Sequence, residues 1–196
     1  MSFEKLLICH GSPTLAGLKT GALFWYSGDN PNQHAAIIQQ WNQIYQSKGL
    51  VLEAVKTSSQ GTLCYLYRPG KLSLDLSCKD AQEILKQQGY PAQDISQILL
   101  HLKKRLSASC DFPHEIGLFL GYPPEDVLGF MENRGKNYQC CGCWKVYCNL
   151  PEKQKLFARY KKCSAVYDRL FEQGRSLWQL TVPSFPCRNL SCTLCQ

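Results

Sequence analysis

No stretch of this chain is long and apolar enough to cross a bilayer, since charged or polar residues interrupt every hydrophobic run well short of the roughly 20 residues a spanning helix needs. The opening MSFEKLLIC places Glu4 and Lys5 inside its short apolar run, which is too short and too charged for the core of a secretory signal. The expected location is the cytoplasm. GxGxxG and Walker patterns are both missing, so a phosphate-cradling nucleotide site has no sequence support. Internal repeats and long linkers are missing too, which leaves one domain as the simplest reading. Charge of one sign is only mildly in excess, at +7. The basic residues are scattered apart from 101–105 (HLKKR) and 159–162 (RYKK). Both runs fall in helical patterns and read as solvated helix faces, with RNA binding as the lesser alternative.

Cysteine, by contrast, is plentiful, with twelve in 196 residues. Without a secretion signal, disulfides are not the first explanation. Metal ligation, thiol redox chemistry, or thiols merely tolerated in a low-oxygen cell remain. Free cysteine also packs as a small hydrophobe, a role that suits Cys64, Cys78, Cys110 and Cys163.

Periodicity gives the elements. Residues 3–9 read as a short helix or strand, stopped by His10-Gly11-Ser12-Pro13. Residues 21–27 read as a strand. Residues 32–48 read as a helix closed by Gly49. Residues 50–56 and 62–68 form the arms of an antiparallel hairpin around SSQG. Helices follow at 79–88, closed by Gly89, and at 94–107, with Asp94 as N-cap. Residues 151–173 form the longest helix, with Pro151 in its first turn and Gly174 past its end. A last strand is expected at 177–182. Grouped helices beside a hairpin favour α+β over a doubly wound sheet. The expected architecture is a single α+β domain over 1–182, a small mainly antiparallel sheet flanked by helices, followed by an irregular cysteine-rich tail at 183–196.

The densest chemistry lies in 112–148, FPHEIGLFLGYPPEDVLGFMENRGKNYQCCGCWKVYC. Read as a strand, 115–120 sets Glu115, Gly117 and Phe119 on one face and Ile116, Leu118 and Leu120 on the other. His114 and Glu115 then point apart and cannot act as a dyad. Gly117 beside Glu115 suggests close approach by a backbone or ligand. A helix begins at Pro123 or Pro124, and Glu125 and Asp126 offset its positive end. A second strand at 142–147 would bring Lys145 opposite Glu115, as a structural ion pair or as one wall of a polar pocket with His114 or Arg68.

The thiols offer another geometry. Cys140 and Cys143 form one CxxC, and Cys192 and Cys195 a second, the usual way to gather four thiolates around zinc or an iron–sulfur cluster. Cys148 and Cys187 are reserve ligands. A metal knuckle at 140–143 excludes a regular strand through the same residues. Lys145 near Cys143 would favour the thiolate and a redox role.

The strings FPHEIGLFLGYPPEDVLGFMENRGKNY and GCWKVY, with SPTLAGLKTGALF and TLCYLYRP earlier in the chain, resemble a bacterial family catalogued as domain of unknown function 3793. The likeness spans most of the chain and extends to the helix around 157–163. The resemblance implies an anaerobic Gram-positive setting, in which thiols are tolerated without a metal. It implies motif positions at Lys19, Arg68, His114, Glu115, Gly117, Gly121, Tyr122, Pro123, Asp126, Gly142, Trp144, Lys145 and Tyr147. It does not carry the cysteine density before Gly142 or the tail cysteines, which are peculiar to this chain. Members lie near iron-uptake and flavodoxin genes, which favours a metal or redox setting and partner proteins that handle iron or electrons.

Two expectations follow. The first is a metal- or redox-associated binding protein with Cys140, Cys143, Cys192 and Cys195 as ligands to zinc or an iron–sulfur cluster. The second is a small-molecule-binding protein or enzyme, with Lys19, Arg68, Glu115 and Lys145 binding ligand and His114, Glu115 and Lys145 as candidate catalytic groups.

Overall fold

In the computed structural model, which describes residues 2–27, 31–91, 94–108 and 112–184, the first element is a helix that runs straight through the expected stop. This helix, α1, spans Phe3–Leu15 with Ser2 as N-cap and Pro13 inside it. A proline there costs about 3 kcal/mol. Leu7, Ile8 and Leu15 are all fully buried, and each such side chain contributes about 1.5–3 kcal/mol, so packing wins. Gly11 permits that packing, because a Cβ there would stand 2.8 Å from Leu66 Cδ2 on the sheet below.

The sheet is built from β1 (Gly21–Tyr26) and, after helix α2 (Pro31–Tyr45), from β2 (Val51–Ser58) and β3 (Gly61–Tyr67). All pairing is antiparallel, in the order β1-β3-β2, so the expected hairpin is present as β2 and β3. The central β3 is buried along its whole length. Strand alternation sends Leu63, Tyr65 and Tyr67 into one core and Cys64 and Leu66 into the other.

The first core is covered by α3 (Pro69–Ser77), which sequence periodicity did not reveal, then by α4 (Lys79–Gln87) and α5 (Ile95–Ala108). Asp94 acts as expected at the start of α5, its Oδ1 accepting from the Ser96 amide at 2.9 Å. Next come α6 (Ile116–Phe119), α7 (Pro124–Glu132), a two-stranded ribbon of β4 (Cys140–Cys141) and β5 (Lys145–Val146), the long α8 (Leu150–Glu172), and α9 (Leu177–Leu180). The second core lies between the sheet and α1, α2 and α9. A third, small core of Trp144, Val146 and Tyr160 fixes the ribbon to α8. The architecture is a single α+β domain with a small antiparallel sheet flanked by helices.

Two expected strands are absent and a third is shortened. Residues 115–120 form a tight helical turn, with Leu118 N–H on Glu115 O at 3.0 Å and Tyr122 N–H on Gly117 O at 2.9 Å. A six-residue apolar run does not distinguish strand from buried helix by periodicity, and here Gly117, Leu118 and Phe119 are all buried in sequence. The strand at 142–147 shrinks to Lys145–Val146, paired with Cys140–Cys141 rather than with 115–120. Residues 177–182 begin as α9, because Ser176 and Gln179 form a reciprocal capping box that starts a helix.

Candidate ligand cavity

Asp126 organises the region that joins α7 to the ribbon. It sits in the first turn of α7, the place expected of a carboxylate offsetting the helix end. Its side chain is buried and turned toward the ribbon. Oδ2 accepts from Trp144 Nε1–H at 2.7 Å, and Oδ1 accepts from the backbone N–H of Tyr147 at 2.8 Å and of Cys148 at 3.3 Å. Lys153 Nζ lies 4.0 Å from the same carboxylate and 2.8 Å from Glu125. Burial pushes Glu125 upward, but the Lys153 ammonium, together with backbone and Cys148 hydrogen bonds, outweighs it and holds the carboxyl below its ordinary value. Burial, then the charge of Asp126, pushes the neighbouring Cys148 thiol up.

The ribbon so fixed forms one wall of a half-open cavity of about 340 Å³. It is also lined by Phe112, Pro113 and His114, by Ile116 of α6, and by Val127 and Phe130 of α7. Cys141, Gly142, Cys143, Trp144 and Lys145 complete it from the ribbon side. Tyr122 stacks on Trp144 with ring centroids 4.7 Å apart, and Trp144 meets Phe157 edge-on at 4.6 Å. Two glycines make this packing possible. A Cβ on Gly142 would fall 2.4 Å from the Phe157 ring, and one on Gly117 would fall 2.8 Å from Val127 Cγ2. Gly117 therefore serves close packing of α6 on α7, not the approach of a ligand to a strand.

The sequence-derived site residues do not form one constellation. Glu115 is 1% exposed and belongs to the first core, where Tyr90 Oη–H donates to it at 2.9 Å and Arg105 Nε stands 2.7 Å away. The Arg105 contact is a close ion pair, not an aligned hydrogen bond. Lys145 does not face Glu115. Its ammonium donates to Gly135 O at 2.7 Å and lies over the rings of Phe130 and Tyr138. Arg68 is buried beside the end of α1 and donates to Thr14 O, Leu15 O, Val182 O and Ser184 Oγ. It is a structural clasp and does not line the cavity. His114 is exposed and packs edge-on against Phe130 at 5.1 Å, lining the cavity without Glu115.

Lys19 is the one expected ligand residue that approaches from outside the block. Its ammonium lies 5.0 Å from the centre of the Tyr122 ring. Burial lowers its pKa to about 8, against the opposing pull of Cys143. Cys143 itself is pushed up by burial, which Lys19 offsets only in part. The cation beside Cys143 is therefore Lys19 and not Lys145, and the thiol is not activated.

The thiols on the ribbon make neither a regular strand nor a closed metal knuckle. Cys141 pairs with Lys145 across a tight turn closed by Gly142 N–H on Trp144 O at 3.0 Å. Among the described residues no three His, Cys, Asp or Glu side chains converge as a metal site. Cys187, Cys192 and Cys195 lie outside those residues, as does Cys110. Cys64 is buried as a packing residue, whereas Cys78 is exposed. Of the two basic runs, 101–105 is partly used internally, Lys103 pairing with Glu53 at 2.6 Å and Arg105 with Glu115.

Sequence reasoning missed the aromatic walls. Tyr122 and Trp144 were motif positions without an assigned role, Asp126 was assigned only to the helix end, and Phe112 and Phe130 were not singled out. The available signal was the recurrence of aromatic residues on both sides of the helix at Pro124–Glu132. No helix among the described residues is long and apolar enough to cross a membrane.

Fold and site together define a small α+β domain with a half-open, aromatic-walled cavity beside a cysteine-bearing ribbon. The chain belongs to the family described as "Protein of unknown function (DUF3793)", whose model matches residues 7–181. No curated protein and no solved structure matches the chain significantly.

Proposed function

We propose that this protein binds a small molecule in the cavity between α7 and the ribbon. The observation that carries the reading is the cavity itself. It is about 340 Å³ and mainly apolar and aromatic, and besides the engaged Asp126 its polar or titratable side chains are His114, Lys145, the Tyr122 hydroxyl and the Cys141 and Cys143 thiols. This is the composition of ordinary ligand sites, at the small end of their size range. More than half of the motif residues singled out in the sequence line it, namely His114, Gly117, Tyr122, Asp126, Gly142, Trp144 and Lys145. The polar site centred on Glu115 is replaced by one that includes Lys145 and excludes Glu115. A ligand-observed NMR screen of small aromatic fragments tests it. Fragments should bind the wild type and be displaced from an Ile116→Trp variant, whose larger side chain fills the cavity. Equal binding to both would sink the proposal.

A metal- or redox-associated role is the second reading. What supports it is that Cys140, Cys141 and Cys143 are free thiols presented on one ribbon turn. A zinc or iron–sulfur site would need further ligands, with Cys192 and Cys195 the candidates by spacing. Metal analysis of protein purified without oxygen decides it. Stoichiometric zinc or iron that disappears in a Cys140→Ser/Cys143→Ser variant supports the role, and metal-free protein with every thiol titratable rejects it.

A further inference from the structure

We propose that the ligand of this cavity is a planar aromatic anion, held with its ring against the aromatic walls and its charge on Lys145. The inference rests on the small-molecule reading above and specifies the chemistry of what binds.

Charge decides the sign. Two carboxylates lie close to the cavity, and neither is available to a ligand. Asp126 has both oxygens engaged by Trp144, Tyr147 and Cys148. Glu115 is sealed behind Tyr90 and Arg105. A cationic ligand would therefore find no free counter-charge. Lys145 is the opposite case. Among the described residues no carboxylate pairs with it, and its one hydrogen-bond acceptor is a neutral carbonyl, Gly135 O. An ammonium has three donors, and among the described residues only one acceptor takes one of them. Placing Lys145 over two rings, 5.5 Å from the centre of Phe130 and 4.9 Å from Tyr138, excludes water from one side of the charge and strengthens its pull on an anion. Lys19, also without a carboxylate ion-pair partner among the described residues, adds positive potential on the Tyr122 side.

Shape decides the rest. Phe130 with the edge-on His114 ring forms one side, and the stacked Tyr122–Trp144 pair forms another. Flat walls of this kind favour a flat guest, since offset stacking and edge contacts add to simple burial. Asp126 holds the Trp144 ring in place through its indole N–H, so this wall exists before the ligand arrives and less ordering is lost on binding. A lysine is a point charge and accepts a carboxylate or a phosphate alike. The shared chemistry is therefore a ring system bearing one anionic group.

The test uses the whole chain and three probes on one ring system: 2-naphthoate, its neutral counterpart 2-naphthamide, and the monophosphate 2-naphthyl phosphate. Binding is followed by titration calorimetry and by the indole N–H signal of Trp144 in nitrogen-15 NMR. The acid should bind about tenfold or more tighter than the amide, the size of one charge-assisted hydrogen bond. That preference should disappear in Lys145→Met and persist in Lys145→Arg, while the amide binds all three proteins alike. Thermal melts establish that each variant is folded. Tighter binding of the monophosphate than of naphthoate assigns the anion as a phosphate, and the reverse order assigns a carboxylate. Equal affinity for acid and amide, or a preference that survives Lys145→Met, overturns the inference and leaves the cavity reading intact. No shift of the Trp144 signal with any probe, in folded protein, overturns both.

Discussion

Asp126 and Trp144 are joined across the smallest core of the molecule, the indole N–H donating to the carboxylate at 2.7 Å while both side chains are almost fully buried. The same carboxylate receives two backbone amides of the segment that follows the ribbon. One side chain thus sets the position of a helix, a ribbon and the start of α8.

Asp126→Ala should therefore cost at least ~2 kcal/mol, since it leaves a buried indole N–H and two backbone amides without this partner. Asp126→Asn should cost less, because one oxygen remains to accept. Urea unfolding gives the stability, and the near-ultraviolet signal of Trp144 reports whether the ribbon has come loose. A stable Asp126→Ala protein with an unchanged aromatic signal would contradict this account.

Arg105 and Glu115 should respond unequally to mutation. Glu115 is 1% exposed on its side chain and Arg105 is 35% exposed. Arg105→Met strands a charge in the core, a change that costs roughly 3–5 kcal/mol for a fully buried pair and less here because one partner reaches water. Glu115→Gln leaves a guanidinium that turns to solvent and a neutral group that still accepts from Tyr90. The arginine variant should be the less stable of the two in thermal melts, and the reverse order would show that the pair is not what holds Glu115.

Lys19 predicts a pH dependence with a definite sign. Its folded pKa of about 8 lies below the ordinary 10.5, so the unfolded chain binds more protons between those values. The contribution of this group to stability therefore rises as pH increases from about 8 to 10.5, and its burial penalty is fully present below 8. Lys19→Met should gain stability relative to wild type at pH 7, and the gap should narrow by pH 10. Parallel denaturation curves at the two pH values measure it.

Removing the same lysine should slow Cys143. The Lys19 charge is the larger of the two influences that keep this thiol from rising further. Alkylation of Cys143, followed by peptide mass spectrometry at pH 8, should be slower in Lys19→Met than in wild type. Faster alkylation would mean that exposure, not charge, governs this thiol.

The sequence was most legible where one physical signal acted alone. The β2–β3 hairpin and helices α2, α4, α5, α7 and α8 carried clean periodicity with glycine, proline or aspartate at their ends, and they lie close to where those signals put them. Reading failed where tertiary packing overrode a local sign. His10-Gly11-Ser12-Pro13 looks like a stop, yet Gly11 is there to meet Leu66. Residues 115–120 alternate plausibly as a strand, yet the turn buries three residues in a row and takes Glu115 away from Lys145. Asp126 was read as a helix-end charge, and nothing local to it announces that its partners lie 18 to 22 residues on. The cavity was half visible, in its motif residues, and its walls were hidden because aromatic residues from separate elements meet only in the folded chain.

Arg68 has a consequence for the order of events during synthesis. Its guanidinium bonds carbonyls at Thr14 and Leu15 and reaches Val182 and Ser184, partners 114 and 116 residues further along. While the chain is still growing from the ribosome, the arginine has the first set of partners and lacks the second. The sheet can pair as soon as β3 emerges, but this buried cation stays half-satisfied until the last described residues are free. Closure of the domain thus waits on the segment that carries Val182 and Ser184.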